Sequence, residues 1–131
     1  MIHAQWRKVA LVVDDEAFAR LFAVQILLDQ GYIVLEAADA EEGLEILGAE
    51  HDVSVLFTDI SMPGDLDGLD LVERARHDRP DIALLVTSGH GVPADQRLPF
   101  GACFLAKPYT AHALSEAIRS AAAPEPKPLV A

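Results

Sequence analysis

Four charged side chains stand where apolar runs stop. Val9-Ala-Leu-Val-Val leads into Asp14-Asp15, a second run from Val53 ends in Asp59, and a third stretch ends in Lys107-Pro108. Three carboxylates brought together repel one another, at about 4 kcal/mol per pair for a separation of ~4 Å and an effective dielectric of ~20. A divalent cation relieves that repulsion, and hard oxygen donors that leave room for water and phosphate suit Mg2+ best. The set is fitted to phosphoryl chemistry.

These residues have to be carried to one place by the elements that hold them. Uninterrupted apolar runs of this length read as strands buried on both faces, as in a parallel sheet covered by helices. Strands are predicted at 8–13, 32–37, 53–58, 82–87 and 103–106. A first helix at 17–30 is closed by Gly31, in keeping with glycine's role at helix C-termini. Asp39 offers an N-cap to a second helix running to about residue 50, and Leu69, Val72 and Ala75 mark a third that ends before Pro80. Thr110 caps a last helix in which Leu114, Ile118 and Ala121 recur at helical spacing. Between Gly89 and Gly101 the chain carries Pro93, Pro99 and a further glycine, so the fourth helix shrinks to one turn at 94–98. The expected fold is α/β: a (βα)5, flavodoxin-like, doubly wound parallel sheet with strand order 2-1-3-4-5 and a shortened fourth helix. Its switch point lies between strands 1 and 3, which carry Asp14, Asp15 and Asp59.

Bulk composition bounds the rest. A chain of 131 residues with 51% hydrophobic and 24% charged residues suits one globular domain. That domain is placed at 8–122, after an N-terminal extension at 1–7 and before a flexible tail at 123–131, where Pro124-Glu-Pro-Lys-Pro128 cannot hold a helix. A net charge of −11 argues against nucleic acid and against an anionic membrane as partners. No apolar stretch approaches a membrane span. Cys103 stands alone, which excludes a disulfide framework and fits a reducing cytoplasm; it reads as a small buried apolar residue.

Taken together, the residues resemble the receiver domains of two-component response regulators, the CheY-like family. The resemblance spans about 8–121 and rests on five pieces in order: Asp14-Asp15, Asp59, Met62-Pro63 followed by Asp67-Gly68, Thr87-Ser88-Gly89, and Lys107-Pro108. It implies that Asp59 is the phosphoacceptor, taking a phosphoryl group from a histidine kinase or a histidine phosphotransfer protein. It also implies that Asp15, Asp59 and the Ser61 carbonyl bind Mg2+ directly, while Asp14 holds metal-bound water. A carboxylate, ionised at neutral pH, is a competent nucleophile without a general base. Lys107 then neutralises charge on the transferring group. Family pattern further makes Thr87 and Phe104 a switch pair, and Ser61 and Gly89 the positions that tune aspartyl-phosphate lifetime. A cis peptide is expected before Pro108. Two departures stand out: the Met62–Gly68 loop is one residue longer than the common pattern, and the fourth helix, through which many receivers dimerise or signal, is reduced.

Plainer roles compete at several positions. An isolated acidic pair is a solvated turn, Phe104 reads as core, and the five histidines show no metal-ligand spacing, although His90 lies near the expected pocket. The first helix is apolar around most of its circumference, so part of it is either exposed or covered by neighbours. The resemblance makes Phe18, Phe22 and Ile26 the face that meets the kinase or phosphotransfer protein. The expected protein is a phosphoacceptor signalling domain with no output domain, acting on a downstream protein partner or as a shuttle or sink in a relay. It is no enzyme beyond promoting its own phosphorylation and dephosphorylation. Alternatives are a receiver cut from a hybrid histidine kinase, a pseudo-receiver that only binds proteins, and a small aspartyl phosphohydrolase. The last normally places Asp-x-Asp after the first strand, whereas Asp14 and Asp15 are adjacent.

Overall fold

The apolar runs pair into a five-stranded parallel sheet in the computed structural model, which describes residues 8–122. The extension expected at 1–7 and the tail expected at 123–131 lie outside the described residues. The elements are β1 (Val9–Val13), α1 (Ala17–Asp29), β2 (Ile33–Ala37), α2 (Ala40–Ala49), β3 (Val53–Asp59), α3 (Gly68–Asp78), β4 (Ala83–Ser88), β5 (Cys103–Ala106) and α4 (Ala111–Ala122). Strand order is β2-β1-β3-β4-β5, as expected from the sequence. The most apolar runs take the central places: β1 and β4 are buried throughout and β3 exposes only Ser54, while β2 and β5 form the half-exposed edges.

Alternation along each strand splits the interior into two cores. Val9, Leu11, Val13, Leu56, Leu84 and Val86 face α2 and α3, where they meet Leu47, Leu71 and Val72. Ala10, Val12, Val55, Phe57 and Leu85 face α1 and α4, where they meet Ala23, Leu27, Leu114 and Ile118. Local chemistry starts the helices. Asp39 caps α2 by accepting the Glu42 amide at 2.8 Å, Asp67 and Asp70 form a reciprocal capping box on α3, and Thr110 accepts the Ala113 amide at 3.0 Å.

Residues 89–102 hold no helix. What remains of the expected turn is one hydrogen bond, from the Gln96 amide to the Pro93 carbonyl at 3.0 Å. Prolines 93 and 99 remove amide donors, and Gly91 and Gly101 sit at positive φ, so the segment cannot wind further. Val92, Leu98 and Ala102 pack on the core where a helix would lie. Arg76 of α3 anchors the loop, its Nε donating to the Phe100 carbonyl at 3.1 Å.

Arg79, just past α3, performs a similar task for α2 and β3. Its guanidinium donates to the carbonyls of Leu47 (3.1 Å), His51 (2.9 Å) and Val53 (3.0 Å), tying the end of α2 to the start of β3. Charge-assisted bonds to otherwise orphaned carbonyls are worth about 1.5–3 kcal/mol in total when their donor is removed. Arg79→Ala is therefore expected to lower unfolding free energy by about 2 kcal/mol in urea titration.

Candidate functional site

Asp14 directly follows β1 and Asp59 is the last residue of β3, so adjacent parallel strands deliver both acids to one edge. One carboxylate oxygen each from Asp14, Asp15 and Asp59 lies within 4.8 Å of the others. Lys107, at the end of β5, reaches across: its Nζ stands 3.3 Å from Asp14 Oδ2 and 3.3 Å from Asp59 Oδ2. The Lys107-Pro108 peptide is cis, as expected. Three carboxylates against one ammonium leave two negative charges uncompensated, the charge a divalent cation would neutralise. The donor set is all oxygen and partly open, since Asp15 is exposed while Asp14 and Asp59 are nearly buried. It fits Mg2+.

Electrostatics follow from this crowding. Burial pushes the Asp59 carboxyl above the usual range; Lys107 pulls it down, Asp14 pushes it up again, and the Ser61 backbone amide lowers it without reversing the net rise. For Lys107, burial works to lower the pKa, but Asp14 and Asp59 prevail and hold the ammonium above its ordinary value.

The remaining predicted residues are placed as follows. Thr87 pairs with Asp59 in register across β3 and β4, but its hydroxyl donates to the Leu105 carbonyl at 2.6 Å. Phe104 is half-buried and packs on the core between the sheet and α3. Ser61 is exposed two residues beyond Asp59, and Gly89 is exposed with open space where a side chain would start. His90 is exposed and approaches only through its backbone amide, which donates to Ser88 Oγ at 2.9 Å. Cys103 is half-buried rather than buried, because β5 is an edge strand.

One correction concerns α1. Phe18 is 82% exposed and Phe22 50%, joined by Leu21 at 51%, but Ile26 is 8% exposed and belongs to the core. Eight residues at 100° each advance the helix by roughly 80° beyond two full turns. Ile26 therefore slides off the outer stripe that Phe18 begins and lands on the sheet beside Ala23 and Leu27.

Two residues near the acids carried no sequence signal. Tyr109 packs between Phe22 (centroids 5.5 Å apart) and Phe57 (5.6 Å, edge-on), and burial, then Asp14 and Asp59, push its phenol far up. Arg20 of α1 donates to the Asp14 carbonyl at 2.7 Å and to Glu36 at 3.1 Å. Both aim at partners remote in sequence. A cavity of about 790 Å3 is lined by Val9, Val53, Ile82 and Arg79 at the opposite strand ends and takes no part in this site.

Known proteins resemble this chain in sequence and fold. The family model for the response regulator receiver domain matches residues 10–119. The sensor kinase CckA of Brucella abortus (strain 2308) is 37% identical over 119 residues, which cover 83% of this chain and 12% of that protein. The nitrogen assimilation regulatory protein NtrX of Azorhizobium caulinodans is 34% identical over 110 residues, covering 79% of this chain and 24% of that one. The chain thus spans a quarter or less of these relatives' length. The crystal structure of the receiver domain from hybrid histidine kinase CckA superposes with a TM-score of 0.74 at 33% identity, covering 87% of this chain and 98% of that one. A family model that matches residues 10–119, together with relatives more than 30% identical, shows the kinship: the chain belongs to the response regulator receiver domain family.

Proposed function

We propose that this receiver domain takes a phosphoryl group onto Asp59 from a phosphohistidine of a histidine kinase or phosphotransfer protein. The observation that carries this reading is the Asp59 carboxylate at the end of β3, flanked by Asp14 and Asp15 and facing the Lys107 ammonium 3.3 Å away. An Asp59 oxygen attacks phosphorus, the phosphorus–nitrogen bond breaks, and the donor imidazole leaves. Asp15, Asp59 and the Ser61 carbonyl would hold Mg2+, with Asp14 holding its water; bound there, Mg2+ supplies positive charge that offsets the phosphoryl oxygens. Lys107, now shared between Asp14 and Asp59, is poised to turn to a phosphoryl oxygen. Thr87 is the switch residue: its hydroxyl must leave the Leu105 carbonyl to reach the phosphoryl group, which frees the β5 backbone beside Phe104. Gly89 offers no side chain to orient water, which favours slow self-hydrolysis.

A relay role, as shuttle or sink, suits the missing helix between β4 and β5, since the face through which many receivers signal is reduced here. The entry surface is α1. Phe18 and Phe22 project beside an apolar groove of about 410 Å3 lined by Ala19, Phe22, Lys107, Pro108 and Tyr109, which opens next to the Lys107 side chain. Phe18→Glu is expected to slow phosphotransfer from a cognate phosphodonor protein about 10-fold or more, a loss of the size of one apolar anchor. Uptake from a small phosphodonor should be unchanged; equal loss with both donors would remove α1 from the docking surface. No described helix is long and apolar enough to cross a membrane.

The test of the reading is incubation with a small phosphodonor with and without Mg2+. One phosphoryl group per chain, dependent on Mg2+, is expected. Repeated turnover of phosphoesters would instead indicate a phosphohydrolase, and failure to bind Mg2+ would indicate a pseudo-receiver.

A further inference from the structure

Arg20 touches no group that the chemistry above uses, yet it grips the backbone from which that chemistry hangs. Its Nη1 donates to the Asp14 carbonyl at 2.7 Å, and its Nε donates to Glu36 Oε1 at 3.1 Å. The side chain is about three-quarters buried, 23% of it being exposed. It therefore links three elements: α1, which carries it, the end of β1, and β2.

The Asp14 carbonyl belongs to the peptide unit that joins Asp14 to Asp15, and this unit is planar. Turning that plane swings Asp15 with it. Asp14 is tied elsewhere: its amide donates to the Ala37 carbonyl at 3.1 Å, its Oδ1 accepts the Glu16 amide at 3.0 Å, and its Oδ2 faces Lys107 at 3.3 Å. Asp15 is exposed, and among the described residues no hydrogen bond holds its carboxylate. The direction of Asp15 is thus inherited from the peptide that Arg20 holds. A fork with two donors fixed by resonance suits this task, because one prong can hold the carbonyl while the other is braced on a carboxylate.

We infer that Arg20 is a positioning residue for the metal-binding acids: it aims Asp15 by fixing the Asp14–Asp15 peptide, and so sets the affinity of the site for a divalent cation. The inference rests on the cation-dependent phosphoacceptor role proposed for these acids. It also makes a prediction of sign. Arg20 carries a positive charge beside a cation site, so a through-space effect alone would make its removal tighten binding. Positioning demands the opposite.

The experiment is calorimetric titration of Mg2+ into the wild type, Arg20→Ala and Arg20→Lys, with amide hydrogen exchange of the metal-free proteins read at Glu16. Loss of an outer partner that orients a metal ligand costs about 10-fold in affinity at the low end. Arg20→Ala is expected to weaken Mg2+ binding by about 10-fold and to speed Glu16 exchange, because the loosened peptide frees the Glu16 amide from Asp14 Oδ1. Arg20→Lys keeps the charge but not the fork, and is expected to weaken binding as well. Wild-type affinity or tighter binding in Arg20→Ala overturns the inference, as does unchanged exchange at Glu16. A wild-type chain that binds no Mg2+ rejects the proposed role of the acids themselves and takes this inference with it. Wild-type binding with unaltered variants rejects only the part given to Arg20.

Discussion

Asp59→Asn is expected to reduce phosphoryl incorporation from one group per chain to none, read by intact-protein mass after incubation with a small phosphodonor and Mg2+. Asn keeps the shape and can still accept a hydrogen bond from Lys107, so the loss isolates the nucleophilic oxygen and its charge. Undiminished labelling of the variant would move the phosphoacceptor elsewhere. The same substitution should raise stability without metal. Burial, with Asp14 alongside, lifts the Asp59 pKa in the folded chain despite Lys107. Between the ordinary and the raised value, the folded chain holds a proton that the unfolded chain has lost. Ionised Asp59 therefore costs stability at neutral pH, and the cost fades as pH falls through the raised pKa. Like-charge repulsion in a partly screened site is worth on the order of 1 kcal/mol. Asp59→Asn should melt roughly 3–6 °C above the metal-free wild type at neutral pH, an advantage that shrinks steadily on acidification. Added Mg2+ should stabilise the wild type through mass action and the variant far less.

Gly68→Ala is expected to lower unfolding free energy by about 3 kcal/mol or more, and to depress phosphoryl uptake by whatever fraction remains folded. Gly68 opens α3 and donates its amide to the Ile60 carbonyl at 2.9 Å. A methyl group there would overlap the Asp59 carbonyl oxygen, its carbon and the Ile60 Cα, all of them backbone. No rotamer relieves that overlap; either α3 moves off the sheet or the end of β3 moves, and Asp59 moves with it. Gly48→Ala supplies the contrast. It lies inside α2 with nothing within 4 Å of the position a side chain would take. Exchanging a helical glycine for alanine there should stabilise the chain by about 0.5–1 kcal/mol. Comparable losses at both positions in urea titration would show that the close approach at Gly68 is not what matters.

The capping residues Asp39 and Thr110 act within a few residues of themselves, so local sequence was enough to read them. The shortening of the helix between β4 and β5 was legible for the same reason, since Pro93, Pro99 and the glycines act on their own backbone, though the one helical turn expected at 94–98 is absent as well. Sheet order was anticipated as the usual solution for five alternating strands and helices, and β1, β3 and β4, apolar on both faces, do take the central places. Acids that follow two such neighbours have to meet. Beyond this range the sequence is silent. Whether Ile26 joins Phe18 outside or Leu27 inside depends on the phase at which α1 settles on the sheet, a matter of packing. Arg20, Arg76 and Arg79 reach backbone carbonyls across space, and a long flexible side chain carries no mark of its target. A threonine hydroxyl can rotate toward whichever acceptor folding brings near, and only the placement of β5 beside β4 gives Thr87 the Leu105 carbonyl. Residue types and their periods thus determined the fold and the gathering of Asp14, Asp15, Asp59 and Lys107, because burial and charge act on every chain alike. The tertiary structure alone decided which side chains hold that cluster in place, because those contacts depend on distances that exist only after folding.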